Sequence, residues 1–130
     1  MAHAINGYPG MCKNIHGHSY QLHVTVSAAV NEELDIPAPG FLLDFKVLKQ
    51  MVQQYVVQLL DHKLVLSKSY IALHSSIGKH DNLVLWDAEP TAENLLLFMK
   101  RTLQQQLPAG IQLEEMKLYE TADSYAAWRR

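Results

Sequence analysis

The chain has 130 residues, a formal net charge of −2 and 48% hydrophobic residues. This length fits a single domain over residues 1–130, and the charge, without any dense Lys/Arg run, argues against a nucleic-acid partner. No apolar stretch approaches the ~20 residues that span a bilayer, and residues 1–4 lack the basic and apolar regions of a signal peptide. We therefore expect a cytoplasmic protein without a membrane partner.

The first regular element is a strand predicted at residues 20–26. Apolar and polar residues alternate there, which is typical of a strand with one buried face. The predicted buried face carries Tyr20, Leu22, Val24 and Val26. Pro37, Pro39 and Gly40 then indicate a turn.

Two amphipathic helices are predicted next. Asp44 is a suitable N-cap for the first helix, whose apolar residues recur every three or four positions up to residues 61–62. Thr91 is a suitable N-cap for the second, which ends before Pro108. Residues 63–87 contain only short apolar runs, and we interpret them as irregular.

The last predicted elements are a strand at residues 111–121 and the start of another at residues 125–128. The order strand, helix, helix, strand indicates an α+β fold in which an antiparallel sheet carries two helices on one face.

A candidate metal site precedes the first predicted strand. His16 and His18 are separated by one residue, so in extended backbone both imidazoles point the same way and can reach one ion. The turn-rich residues 6–10 could fold His3 back beside them. Three histidines leave a fourth zinc position open for substrate, whereas Cys12 as fourth ligand would close a structural site. Both interpretations stay open. A third interpretation, in which His16 and His18 bind no metal, also stays open.

Asp61, His62 and Glu120 are further candidates for proton transfer or ligand binding. Asp61 and His62 follow the first helix, where they are either a helix cap with a dipole partner or a general acid–base histidine oriented by a carboxylate. Glu120 is in phase with Met116 and Leu118 on the buried face of the last long strand. Either that strand turns out to solvent at its end, or the carboxylate binds a ring that offers adjacent N–H donors.

Five motifs together resemble the family of 6-pyruvoyl- and 6-carboxy-tetrahydropterin synthases over nearly the whole chain. They are Cys-x-x-x-His-Gly-His-Ser-Tyr at 12–20, Gly-Phe-Leu-Leu-Asp-Phe at 40–45, Leu-Asp-His-Lys-Leu at 60–64, Pro-Thr-Ala-Glu-Asn at 90–94 and Leu-Tyr-Glu-Thr at 118–121. The resemblance implies the T-fold, a four-stranded antiparallel sheet with two helices after its second strand. It also implies a homo-oligomer, a trimer or hexamer with active sites at subunit interfaces. Family members usually have a complete strand before the first zinc histidine, so a truncated first strand is expected here.

The resemblance also implies roles for the candidate residues. The implied Zn²⁺ ligands are His3, His16 and His18. Cys12 would be a base that moves protons on the substrate, and Asp61 and His62 would complete the proton relay. The implied substrate-binding residues are Thr91, Glu93 and Glu120, the last of which would hold the pterin ring.

The family acts on 7,8-dihydroneopterin triphosphate with two outcomes. One product is 6-pyruvoyl-tetrahydropterin; the other is 6-carboxy-tetrahydropterin, released with acetaldehyde and triphosphate for 7-deazaguanine (queuosine) synthesis. The three-residue gap between Cys12 and His16 resembles the carboxy branch. We therefore predict a zinc-dependent lyase, a 6-carboxy-5,6,7,8-tetrahydropterin synthase. The alternatives are the pyruvoyl synthase, a non-catalytic pterin-binding T-fold protein, and a protein with a structural zinc that Cys12 completes.

Overall fold

Strands and helices alternate along the chain in an α+β arrangement. The structure, a computed structural model, describes residues 1–29, 34–78 and 80–130. Its strands are β1 (Ala2–His3), β2 (His16–Gly17), β3 (Gln21–Ala28), β4 (Leu64–Ser67), β5 (Leu83–Trp86), β6 (Ile111–Tyr119) and β7 (Tyr125–Arg129). Its helices are α1 (Phe45–Val52), α2 (Gln58–Leu60), α3 (Lys68–Leu73) and α4 (Ala92–Gln104), with a 3-10 turn at Met11–Lys13 and a π-helical turn at Gln53–Val57 between α1 and α2.

An antiparallel sheet in the order β3-β6-β7 confirms the strands predicted from alternation. Leu22 lies opposite Leu118 in the β3–β6 register, so the apolar faces of the two strands coincide. A register shift between Thr25 and Val26 interrupts the ladder without ending it. Because the side-chain period is two, this register sends Gln21 and His23 to the exposed face.

Both predicted helices begin at the expected caps. The Asp44 carboxylate accepts a hydrogen bond from the Lys46 N–H at 2.7 Å, and the Thr91 hydroxyl accepts one from the Asn94 N–H at 3.3 Å. The first helix continues through the π-helical turn and ends at Leu60, as predicted. None of the helices in the described ranges is long and apolar enough to cross a membrane.

The main core lies between the antiparallel sheet and α4, and Val56 of the π-helical turn and Leu60 of α2 pack into it. Its most completely buried side chains are Val65, Leu95, Leu103, Met116 and Leu118. Burial of one such leucine contributes about 1.5–3 kcal/mol. The core reaches the end of the sheet where β3 begins and β6 ends, through Leu22 and Leu118.

The interpretation of residues 63–87 as irregular is wrong. They contain β4, α3 and β5; Lys79 lies outside the described residues. β4 pairs in parallel with both β1 and β5 in a second sheet of order β2-β1-β4-β5. Both strands have only four residues, nearly all of them apolar, so their sequences carry no period-two signal.

The first strand is short, as expected. β1 comprises only two residues and pairs with β2 and β4. Within the described ranges the antiparallel sheet has three strands, because β1 joins the second sheet instead. This placement brings His3 to the inside of the molecule, where it is 3% exposed.

Candidate metal centre and active site

Three histidine side chains converge where β1 and β2 meet. In the antiparallel β1–β2 register His3 lies opposite His16. The His18 N–H donates to the Met1 carbonyl at 3.1 Å, which extends the pairing by one residue. The ligand nitrogens of the three imidazoles all lie within 4.8 Å of one another. The structure thus brings together the three residues predicted to bind metal.

Hydrogen bonds set the tautomers of two of these histidines. His3 Nδ1 lies 2.6 Å from the Pro90 carbonyl and His16 Nδ1 lies 2.8 Å from the Asn14 carbonyl. A carbonyl oxygen only accepts, so both Nδ1 atoms carry the proton. Burial lowers the pKa of His3, which keeps its ring neutral. The His3 Nε2 therefore offers a lone pair.

A metal ion fits this donor set. The Nε2 atoms of His3 and His16 are 3.2 Å apart. Two nitrogens on a tetrahedral zinc would be separated by about 3.3 Å, given Zn–N distances of about 2.0–2.1 Å. Backbone carbonyls that hold the second ring nitrogen of each ligand are usual around such ions.

Glu120 pairs with a residue that the sequence reasoning had not assigned to the site. The Tyr20 hydroxyl donates to Glu120 Oε1 at 2.9 Å and lies 3.4 Å from His3 Nε2. Burial, followed by the negative charge of Glu120, raises the pKa of Tyr20, so the phenol stays protonated. The sequence pattern indicated only that Tyr20 lies on the buried face of its strand. That Tyr20 contacts Glu120 follows from the β3–β6 register.

Glu120 also faces the metal centre. Its Oε1 is 3.8 Å from His3 Nε2, and its side chain is 26% exposed. Since the His3 ring is neutral, this contact is no ion pair. The Tyr20 hydrogen bond occupies one carboxylate oxygen and leaves the exposed remainder of the group free to accept from a ligand.

Cys12 lies outside the histidine group. It is exposed and sits in the 3-10 turn Met11–Lys13. Within the described ranges, His3, His16 and His18 form a candidate ligand group that does not include Cys12. The arrangement therefore favours a three-histidine site with an open position over a site that the thiol closes.

Asp61 and His62 lie where α2 ends. Their Oδ2 and Nε2 atoms are 3.7 Å apart, and the side chains are 59% and 94% exposed. His62 has a φ of 56°, a left-handed conformation that costs a non-glycine residue about 1–2 kcal/mol. The Asn82 side chain donates to the His62 carbonyl at 3.3 Å and helps to hold this turn.

Several of these side chains line a cleft of about 790 Å³. His18, Tyr20, Asp61 and His62 line it together with apolar side chains of α2, the π-helical turn and the sheet. The cleft therefore offers an apolar wall for a flat ring and polar groups beside it.

Six of the predicted site residues do not line this cleft: His3, Cys12, His16, Thr91, Glu93 and Glu120. Thr91 uses its hydroxyl to cap α4, and Glu93 is exposed in the first turn of the same helix. Neither lines the cleft. Their predicted substrate contacts stay a prediction.

Comparison with known proteins supports one family. The model of the family described as 6-pyruvoyl tetrahydropterin synthase matches residues 1–130. A 6-carboxy-5,6,7,8-tetrahydropterin synthase from Rickettsia bellii (strain RML369-C) is 28% identical over 95% of this chain and 88% of its own length. The 6-pyruvoyl tetrahydrobiopterin synthase from Pongo abelii is 31% identical over 92% of this chain and 71% of its own. The crystal structure of 6-pyruvoyl tetrahydropterin synthase from Plasmodium vivax superposes with a TM-score of 0.69 at 17% identity, covering 99% of this chain and 88% of that one.

The fold and the three-histidine group define a T-fold protein with a candidate metal centre where β1 and β2 meet. The family match over the whole chain makes the assignment more specific. The chain belongs to the 6-pyruvoyl tetrahydropterin synthase family, whose members are lyases that act on pterins.

Proposed function

We propose that the protein is a 6-carboxy-5,6,7,8-tetrahydropterin synthase. In this reaction 7,8-dihydroneopterin triphosphate gives 6-carboxytetrahydropterin, acetaldehyde and triphosphate, within queuosine (7-deazaguanine) biosynthesis. The observation that carries the proposal is the group of three histidines, two with Nε2 atoms 3.2 Å apart, beside the Tyr20–Glu120 hydrogen bond. The relative from Rickettsia bellii with the same activity in its name supports it.

The proposed metal is Zn²⁺, and its proposed ligands are His3, His16 and His18. When bound, zinc supplies a positive charge that acidifies hydroxyl groups of the substrate side chain. The chain's own contribution is to orient the imidazoles before any metal binds. Burial lowers the pKa of His3, and the carbonyls of Pro90 and Asn14 fix the orientation of the His3 and His16 rings.

In this proposal Cys12, Asp61 and His62 carry out the proton transfers. Cys12 acts as the base toward the side chain of the pterin, and its exposed turn leaves the sulfur accessible. His62 moves a second proton, because histidine changes protonation near neutral pH. Asp61, 3.7 Å from the His62 ring, stabilises the charged imidazolium.

Recognition of the pterin is proposed to centre on Glu120. A carboxylate can accept two N–H donors from adjacent positions of a ring, and Tyr20 holds the Glu120 side chain in place by a 2.9 Å hydrogen bond. Thr91 and Glu93 complete substrate binding in the proposal. They lie outside the cleft of their own chain, so the proposal includes a homo-oligomer, trimer or hexamer, with sites at subunit interfaces. A cytoplasmic location stays a prediction from the sequence.

The pyruvoyl synthase is the second candidate. The relative from Pongo abelii that carries this activity in its name is 31% identical, slightly above the Rickettsia bellii relative. The short gap between Cys12 and His16 favours the carboxy branch. Both reactions start from the same substrate, so only the products separate them.

The test is product analysis. The purified, zinc-loaded protein is incubated with 7,8-dihydroneopterin triphosphate, and the products are identified by mass spectrometry. We expect acetaldehyde and 6-carboxytetrahydropterin, with turnover lost in Cys12→Ala. Met11→Ala is the matched control, because Met11 is 80% exposed in the same turn, and it should keep its activity.

Each other outcome has a distinct meaning. Pyruvoyl-tetrahydropterin as the product would replace the proposed branch by its sister. Full activity in Cys12→Ala would remove Cys12 from the mechanism. Binding of unchanged pterin without turnover would identify a non-catalytic binding protein.

A further inference from the structure

The β1–β2 loop (residues 4–15) carries Cys12 and is cross-linked within itself. The Ile5 N–H donates to the Cys12 carbonyl at 2.8 Å, and the Asn14 N–H donates to the Met11 carbonyl at 3.0 Å. These bonds fix the shape of the 3-10 turn. Two further bonds join the ends of the loop to other segments: the Asn6 N–H donates to the Glu89 carboxylate, and the Asn14 carbonyl accepts from His16 Nδ1, both at 2.8 Å.

Tyr70 ties this loop to the body of the protein. Its hydroxyl donates to the carbonyl of Lys13, the residue after Cys12, at 3.0 Å and across 57 positions of sequence. The Tyr70 side chain is 5% exposed and packs in a buried cluster with Ala4 and Leu66. The hydroxyl is therefore presented to the turn from a rigid support.

The orientation of Tyr70 is itself determined by its neighbours. Its N–H donates to the Ser67 hydroxyl at 3.0 Å, which caps α3. The His74 ring stacks on the Tyr70 ring, with centroids 4.1 Å apart and planes 14° from parallel, and His74 Nδ1 donates to the Tyr70 carbonyl at 2.9 Å. These contacts leave the phenol little freedom to follow a moving loop.

We propose that Tyr70 is a positioning residue for Cys12; this inference rests on the proposed function, in which the thiol is a base. A base must lie within hydrogen-bond reach of the proton that it removes, and small displacements are costly. The exposed Cys12 side chain has little packing to hold it, so its position depends on the backbone. The Tyr70–Lys13 hydrogen bond fixes that backbone one residue away.

The experiment compares Tyr70→Phe with Tyr125→Phe in the full-length, zinc-loaded protein. The first variant loses only the hydroxyl oxygen and keeps the buried ring. The second makes the same chemical change on an exposed side chain. The measurements are kcat and KM for 7,8-dihydroneopterin triphosphate, zinc content, and hydrogen–deuterium exchange of peptides from residues 4–15.

The expected result is a split between the kinetic constants. In Tyr70→Phe, kcat should fall by about tenfold, the factor that corresponds to one net hydrogen bond, while KM and zinc content match the wild type. The amides of Ile5 and Asn14 should exchange faster, and exchange outside the loop should be unchanged. Tyr125→Phe should match the wild type in every measurement.

Two results would overturn the proposal. One is an unchanged kcat or unchanged exchange in the loop. The other is a parallel loss of kcat, zinc content and protection throughout the protein, which would reduce Tyr70 to a general stabilising residue. If the wild-type protein does not turn over the pterin, the proposed function fails separately. Loop exchange then decides whether Tyr70 anchors the Cys12 turn.

Discussion

Replacing His16 with alanine is expected to abolish the stabilisation of the protein by zinc. In the wild type, the Nε2 atoms of His3 and His16 are 3.2 Å apart, and carbonyls that accept from their Nδ1 atoms keep both rings in this orientation. An ion bound there links β1 to β2 and adds binding free energy to the folded state only. The variant loses one of the three candidate ligands.

The size of the effect follows from the chain length. Zinc at about 100 times its dissociation constant adds about 2.7 kcal/mol to the free energy of unfolding. The entropy of unfolding of 130 residues is about 0.27 kcal/mol per kelvin, at about 2.1 cal/mol per kelvin for each residue. Zinc should thus raise the Tm by about 10 °C. If His16→Ala weakens binding by about 100-fold or more, the remaining shift is below about 2 °C.

Differential scanning calorimetry of the metal-free protein, with and without added zinc, measures this shift. His23→Ala is the matched control, because His23 lies on the exposed face of β3 outside the candidate metal centre, and its zinc shift should equal that of the wild type. A full shift in His16→Ala would refute the reasoning. So would the loss of the shift in both variants, since the effect would then not come from this site.

Two further predictions concern carboxylates. Glu120→Gln should raise the KM for the pterin by about tenfold or more, because a charge-assisted hydrogen bond becomes a neutral one. Glu115→Gln is the control. An equal KM in both variants would argue against the proposed role of Glu120. Although partial burial acts in the opposite direction, hydrogen bonds from two serine hydroxyls and the Asn6 N–H lower the pKa of Glu89 from its ordinary 4.5. The stabilising contribution of Glu89 is therefore present above pH 4.5 and is lost as the pH falls through the lowered pKa. In urea unfolding, the free energy of unfolding of Glu89→Gln should decline less steeply below about pH 4.5 than that of the wild type. An identical pH dependence in both proteins would contradict this assignment.

Local patterns in the sequence were sufficient for the long elements. The alternation at residues 20–26 predicted β3, and the capping residues Asp44 and Thr91 predicted where α1 and α4 begin. Such signals are local because a cap or a strand face involves residues only a few positions apart. The short strands β4 and β5 were missed, since four-residue parallel strands have no comparable local signature.

The candidate metal centre was predicted in part. The spacing of His16 and His18 indicated that both could reach one ion, and the turn-rich residues after His3 allowed it to join them. The structure confirms that the three rings converge. It alone shows that His3 is buried and neutral and that Tyr20 belongs beside Glu120.

Local features of the sequence predicted the caps, the faces of the long strands and the three histidines of the candidate metal centre. The orientation of those side chains depends on the tertiary fold. His3 takes its tautomer from a carbonyl 87 positions away, Tyr20 meets Glu120 across 100 positions, and Tyr70 reaches the Cys12 turn across 57. Contacts over such separations form only when the sheet register and the packing of α3 bring distant segments together. No local pattern of residues encodes them.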